Sequence, residues 1–213
     1  MGQSAAGEAT GREASLALSA PRRWELADGA TLTLDPDWLG ASDANRVLCA
    51  LLEEIDWKQR TIRVMGRDVL QPRLSAWYGD AAYTYSGVTL TPLPWTPLLA
   101  GLRDRVIADV GERFNSVLCN LYRTGSDSMG LHADDEKELG PNPVIASVSL
   151  GATRRLVLRH KKRRAAPLHV DLTSGSLLVM GPATQSFYRH EVPKDPRAAG
   201  PRVNLTFRWI VPS

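Results

Sequence analysis

Arg202-Val203-Asn204-Leu205-Thr206-Phe207-Arg208, close to the C-terminus, alternates polar and apolar side chains without a break. That period marks a β-strand with two unlike faces. Val203, Leu205 and Phe207, continued by Trp209, make an apolar face that needs a core to cover it. Arg202, Asn204, Thr206 and Arg208 make the other. A solvated edge face could carry two arginines. An inward face could not, because a buried guanidinium without an anion is strongly unfavourable. At ~3.3 Å per residue the two arginines stand roughly 20 Å apart, too far to grip one small carboxylate together. Either side-chain reach and strand twist close the gap, or Arg208 has an acidic partner inside the protein, with Asp134 a candidate.

Further runs of the same kind lie upstream. "NSVLCNLY" (115–122), "VIASVSLG" (144–151), "RRLVLRH" (154–160) and "LHVDLTSGSLLVM" (168–180) are short β-branched segments punctuated by Gly, Pro, Ser and Asn. Before them come two helical patterns. Residues 37–57 set Leu39, Val47, Leu48, Leu51, Leu52 and Ile55 at helical spacing, with Ser42-Asp43 as the predicted N-cap. Residues 94–114 predict a second amphipathic helix, entered through Pro97. Two helices followed by many short strands predict a mainly β domain with flanking helices, a sandwich or jelly roll.

The 213 residues suit one domain with a substantial core, and no solenoid or propeller repeat is visible. Residues 1–23 are small and polar and predict a disordered tail, which leaves 24–213 as the single domain. The N-terminus has no apolar stretch long enough for a signal peptide or membrane span. Cys49 and Cys119 are too few for a disulfide framework or a thiolate metal site and suit a reduced, intracellular setting. A net charge of +3 with a pI near 9.0 permits a nucleic-acid partner without requiring one.

"SMGLHADDEKELGP" (128–141) gathers His132 with Asp134, Asp135, Glu136 and Glu138. In a strand, His132 and Asp134 would share one face and offer two ligands to a divalent metal. The third must come from His160, His169 or His190, and His190, in "SFYRHEVP" after a strand and a Pro-containing loop, is best placed. Two histidines and one carboxylate leave open positions, as non-haem Fe(II) oxygenases require, and zinc is the competing metal. Alone, His-x-Asp is a weak signal that a surface turn also produces.

Taken with Arg202-x-Asn204-x-Thr206-x-Arg208, "NLY" (120–122), "SVSLG" (147–151) and "AGPRVNLTFR" (199–208), the pattern resembles the AlkB family of Fe(II)- and 2-oxoglutarate-dependent dioxygenases. "YGDAAYTYSGVTLTPLPW" (78–95) and "PVIASVSLGATRR" (143–155) bring it closest to the branch that repairs double-stranded DNA. The resemblance implies a double-stranded β-helix, a jelly-roll core at about 114–211, with a nucleotide-recognition lid of hairpins at about 60–90. It implies that His132, Asp134 and His190 bind Fe(II). Arg202, helped by Tyr122, would bind the distal carboxylate of 2-oxoglutarate, with Asn120, Asn204 and Arg208 around its other end and Thr206 also in the cosubstrate site. The implied reaction is O₂-dependent oxidative dealkylation of bases such as 1-methyladenine and 3-methylcytosine, releasing formaldehyde and succinate.

Such lesions are cationic, and Asp135 and Glu136 are expected to favour them. The base must be flipped out of its stack, with Tyr83 and Tyr85 to receive it. Where the branch carries an aromatic hairpin tip in "RVMGRD", this chain has Met65, an apolar wedge without a ring. "RHKKRR" (159–164) is the expected phosphate loop, through Arg159 and Lys161, with Arg73 near the same backbone. The expected partner is alkylated DNA, duplex or single-stranded, bound by a monomer away from any membrane. An RNA or tRNA demethylase on this scaffold is the alternative, and a catalytically silent nucleic-acid-binding jelly roll is another. The Ala/Arg-rich composition points to a bacterial cytoplasm and its nucleoid, and a eukaryotic source would point to the nucleus.

Overall fold

The computed structural model describes residues 20–64, 66–81, 83–85 and 88–211, with the backbone alone at 62–64, 83–85 and 88–90. Strands β1 (Arg22–Glu25) and β2 (Thr31–Asp35) precede helix α1 (Ala41–Glu54). Strands β3 (Thr61–Val64), β4 (Arg67–Leu70), β5 (Leu74–Gly79), β6 (Tyr83–Tyr85) and β7 (Val88–Leu90) lead to α2 (Pro97–Val110). Then follow β8 (Ser116–Tyr122), β9 (Met129–His132), β10 (Ile145–Gly151), β11 (Arg154–His160), β12 (Leu168–Leu172) and β13 (Ser176–Met180). A short α3 (Thr184–Phe187), β14 (Tyr188–Val192) and β15 (Arg202–Arg208) complete the chain.

Two antiparallel sheets face each other. The larger runs β1-β2-β13-β10-β15-β8-β5 and the smaller β12-β11-β14-β9. The alternating stretch is therefore an interior strand, β15, held between β10 and β8. Its apolar side chains Val203, Leu205 and Phe207 are wholly buried under α1 and α2, against Val47, Leu51, Leu99 and Val106. The other face of the larger sheet meets the smaller one across a second core, in which Ile145, Leu178 and Met180 pack with Leu156, Val170 and Val192. This is the jelly roll with helices on one side that the strand pattern predicts. Hairpins β3-β4 and β6-β7 form separate two-stranded ladders. Met65, between β3 and β4, lies outside the described residues.

Two local expectations change. Helix α1 begins at Ala41 with Gly40 as its N-cap, so Ser42 and Asp43 sit inside its first turn. Asp43 pairs with Arg46 at 2.6 Å instead of capping. Helix α2 matches its signals, with Pro97 in the first turn and the Thr96 hydroxyl accepting from Leu99 N at 3.2 Å. The tail boundary at residue 23 falls inside a strand, since Arg22 and Arg23 pair with Leu34 and Thr33. Strand β1 is short and polar, whereas β2 carries a period-2 alternation that buries Leu32 and Leu34.

Leu205→Ala removes a fully buried side chain between α1 and the sheet. It should cost about 3 kcal/mol, seen as a lower urea midpoint with an unchanged slope.

Candidate active site

The polar face of β15 is continued on both neighbouring strands by register. Arg202 lies opposite Tyr122 of β8, and Asn204 lies between Asn120 of β8 and Ser149 of β10. Thr206 lies opposite Ser147. Period-2 alternation turns all of these toward the smaller sheet. All but Ser149 line a pocket with His132, Asp134 and His190 on its far side.

His132 and His190 are direct partners across β9 and β14, their ring centroids 4.3 Å apart. Asp134 lies two residues beyond the end of β9, not within a strand as expected, yet its Oδ1 is 3.9 Å from His132 Nε2. Ligand atoms of the three residues all lie within 4.8 Å of one another. His132 Nδ1 contacts the Gly130 carbonyl at 2.8 Å, so with Nδ1–H donating there, Nε2 keeps its lone pair for a metal. Of the other candidate ligands, His160 contacts Asp28 at 2.7 Å and His169 is exposed on β12.

Burial would raise the Asp134 carboxyl, but Arg208, His132 and His190 hold it down at about 2. Arg208 Nη2 donates to Asp134 Oδ1 at 2.7 Å, which is the acidic partner expected for Arg208. The Asp134 amide donates to Gln185 Oε1 at 2.9 Å. Burial, then the neighbouring His132, pushes His190 down to about 3, so it is neutral at physiological pH. A neutral imidazole and an ionised carboxylate are the protonation states a divalent metal needs. Asp134 Oδ2 is buried and has no hydrogen-bond partner.

At the other end of the pocket, Arg202 is 1% exposed. Its Nη2 donates to Ser149 Oγ at 2.8 Å and Asn204 Oδ1 at 2.7 Å, and its guanidinium lies 5.0 Å from the Tyr122 ring. Its Nε and Nη1 have no hydrogen-bond partner, and among the described residues no carboxylate pairs with it. Burial lowers the Arg202 pKa, with the Tyr122 hydroxyl opposing the shift and the nearby Arg154 adding to it. Asn204 passes the network on, donating to Thr206 Oγ1 at 2.8 Å.

The residues expected to meet nucleic acid fare differently. Arg73 is 4% exposed and donates to Asn120 Oδ1 at 2.8 Å and to the Ser128 carbonyl. This corrects its assignment, because a guanidinium buried in that way orients Asn120 and cannot meet a phosphate. Lys161 and Asp135, expected to bind phosphate and base separately, bind each other at 2.8 Å. Arg159 pairs with Glu191 at 3.3 Å. Glu136 is half-buried beside the triad. Tyr83 and Tyr85 lie on β6, and their side chains are outside the described residues.

Ser147, Ser149, Arg154 and Gln185 were missed. The alternation of "SVSLG" was enough to turn both serines to the pocket. Arg154 is buried and donates to the carbonyls of Asp127 and Pro193 at 2.8 and 2.6 Å. Gln185, in a four-residue helix, had no sequence signal.

A model of the 2OG-Fe(II) oxygenase superfamily matches residues 31–208. The DNA oxidative demethylase ALKBH2 of Mus musculus is 42% identical over 186 residues, covering 82% of this chain and 78% of that protein. The chain belongs to the 2OG-Fe(II) oxygenase superfamily, and within it to the AlkB family. The Homo sapiens alpha-ketoglutarate-dependent dioxygenase alkB homolog 3 is 43% identical over 188 residues, 84% of this chain, and the match spans 66% of that relative's length. The solved structure of OsALKBH1 superposes with a TM-score of 0.61 at 18% identity, covering 88% of this AlkB-family chain and 99% of that one, a likeness of fold.

Gln185→Leu removes the acceptor for the Asp134 amide while keeping most of the side-chain volume. It should weaken Mn(II) binding about tenfold, measured by titration with the protein's melting temperature as a check on folding.

Proposed function

We propose that this protein is an Fe(II)- and 2-oxoglutarate-dependent dioxygenase that removes alkyl groups from N-alkylated DNA bases of the 1-methyladenine and 3-methylcytosine type. One observation carries this reading. A two-histidine, one-carboxylate triad shares a pocket with a buried arginine with which no carboxylate pairs among the described residues. His132, Asp134 and His190 would hold the iron, and Arg202, with Tyr122, Ser149 and Asn204, would receive the distal carboxylate of 2-oxoglutarate. The residues fit both groups. Asp134 Oδ2 and two Arg202 nitrogens are buried without partners, and His190 is neutral. The names of relatives, one of them a DNA oxidative demethylase, support bases of DNA as the substrate.

When bound, Fe(II) with 2-oxoglutarate and O₂ supplies the oxidation that converts an N-methyl carbon to formaldehyde and 2-oxoglutarate to succinate and CO₂. The chain's own residues contribute position and charge. Arg208 keeps Asp134 ionised and aimed, and Gly130 orients His132. Arg73 holds Asn120 against the cosubstrate end. Leu156, Leu172, Leu178 and Met180 form the apolar pocket floor and keep water out. A carboxylate beside the triad favours a cationic base, and at ~4 Å with an effective dielectric near 20 the attraction is ~4 kcal/mol before desolvation. Asp135 and Glu136, which follow Asp134 in the chain, are the carboxylates that would do this. A flipped base would stack on Tyr83 or Tyr85, with Met65 filling the vacated step.

The test is mass spectrometry of oligonucleotides bearing 1-methyladenine, as single-stranded DNA, duplex DNA and RNA, with Fe(II) and 2-oxoglutarate. Wild type should remove the methyl group from DNA, and His132→Ala or omission of 2-oxoglutarate should abolish the loss. Arg202→Met should raise the KM for 2-oxoglutarate about ten- to a hundredfold, as expected for losing hydrogen bonds to a charged group. Methyl loss from RNA alone would move the substrate to RNA, and no loss from any strand would overturn the reading.

A further inference from the structure

Lys161 and Asp135 belong to segments that the proposed function gives opposite tasks, one for phosphate and one for a cationic base. They are bound to each other. Lys161 Nζ donates to Asp135 Oδ2 at 2.8 Å and to the Gln185 carbonyl at 2.7 Å. The same Gln185 accepts from the Asp134 amide through its side chain, so the pair stands one residue from the carboxylate of the triad. The main chain of Lys161 is fixed, its amide donating to the Phe187 carbonyl at 2.8 Å. Only the side chains are free to move, with the lysine 20% and the aspartate 55% exposed. Such an exposed pair is weak, and a lysine head swings on a flexible four-carbon stem.

We propose that Lys161–Asp135 is an exchangeable ion pair that couples backbone binding to recognition of a charged base. The inference rests on the repair reading above. A nucleotide with an alkylated base brings one phosphate and one cation, so Lys161 can move to the phosphate and Asp135 to the base with every charge still compensated. An undamaged nucleotide takes Lys161 and leaves Asp135 bare beside Asp134. A methylated nucleoside without phosphates takes Asp135 and leaves Lys161 with only the Gln185 carbonyl. Only a substrate with both charges completes the exchange, so the pair rejects undamaged strands and free damaged nucleosides alike.

The experiment compares kcat/KM for 1-methyladenosine and for a trinucleotide carrying 1-methyladenine between two phosphates. Lys161→Met opens Asp135 permanently. It should raise the nucleoside value up to about fivefold, the worth of an exposed pair, while lowering the trinucleotide value. Lys161→Arg keeps both partners and should keep the wild-type ratio. Asp135→Asn breaks the pair from the other side and should tighten equilibrium binding of the unmethylated trinucleotide by a similar factor, even if Lys161→Met does not fold. A nucleoside value unchanged or lowered in folded Lys161→Met would make Lys161 a plain phosphate contact or a scaffold and overturn the exchange. So would Asp135→Asn binding that is no tighter than wild type. Wild type inactive on both substrates would overturn the repair reading itself, whereas active wild type with these failures overturns the exchange alone.

Discussion

Arg208 donates to Asp134 across 2.7 Å at a depth where the two side chains are 4% and 1% exposed. A lone carboxylate there would take up a proton, and a lone guanidinium would be driven toward water. Together they are tolerated, and the pair joins two parts of the fold. Arg208 ends an interior strand of the larger sheet, β15, and Asp134 follows the edge strand of the smaller one. The bond therefore fixes the carboxylate at the mouth of the sandwich, beside two histidines that sheet pairing already holds. Removing either charge would leave the other buried and exposed to the full cost of desolvation.

Six residues along the same strand the same problem has the opposite solution. Arg202 is as deeply buried, yet its neighbours are a serine, an asparagine and an aromatic ring. None carries a negative charge. Arg154, on the smaller sheet, lies 5.4 Å from the same Tyr122 ring and is met by carbonyls. Two cations thus converge on one phenol, and Asp127, which feels Arg154, is itself bound to Arg123 at 2.8 Å. A positive potential left unfilled at one end of a pocket, with a metal triad at the other, suits a ligand that carries a carboxylate away from its metal-binding end. One arginine is compensated by a carboxylate inside the protein, and the other is met by a serine, an asparagine and an aromatic ring.

Much of this was legible because strand periodicity is simple. The alternation of residues 202–208 separated core from site, and both halves of that division hold in the fold. His190 was correctly preferred over His160 and His169, since it lies on β14, which pairs it directly with His132 of β9. The errors arose where a side chain's partner is set by tertiary structure. Arg73 reads in sequence as an exposed lid residue, and only the pairing of β5 with β8 turns it inward to Asn120. Gln185 acquires its role because a single turn of helix happens to stand beside the loop after β9. No period or motif encodes such an approach.

The basic loop shows the same limit in its charges. "RHKKRR" carries five permanent cations, which invites a count of five phosphate contacts. In the fold Arg159 holds Glu191, Lys161 holds Asp135 and Arg163 holds Asp28 at 2.7 Å. His160 binds Asp28 as well and accepts the amides of Lys162 and Arg163 on its other nitrogen. Alternate cations are thus spent on acids from β14, the triad loop and the turn before β2, and these bonds give the loop its shape before any strand arrives. Lys162 and Arg164 form no ion pair among the described residues and remain exposed. The loop's long-range attraction for a polyanion rests on these two, while its internal pairs can contribute only by exchange. The modest net charge of +3 understates what such a loop offers a polyanion, because attraction depends on locally unpaired cations and not on the sum over the chain.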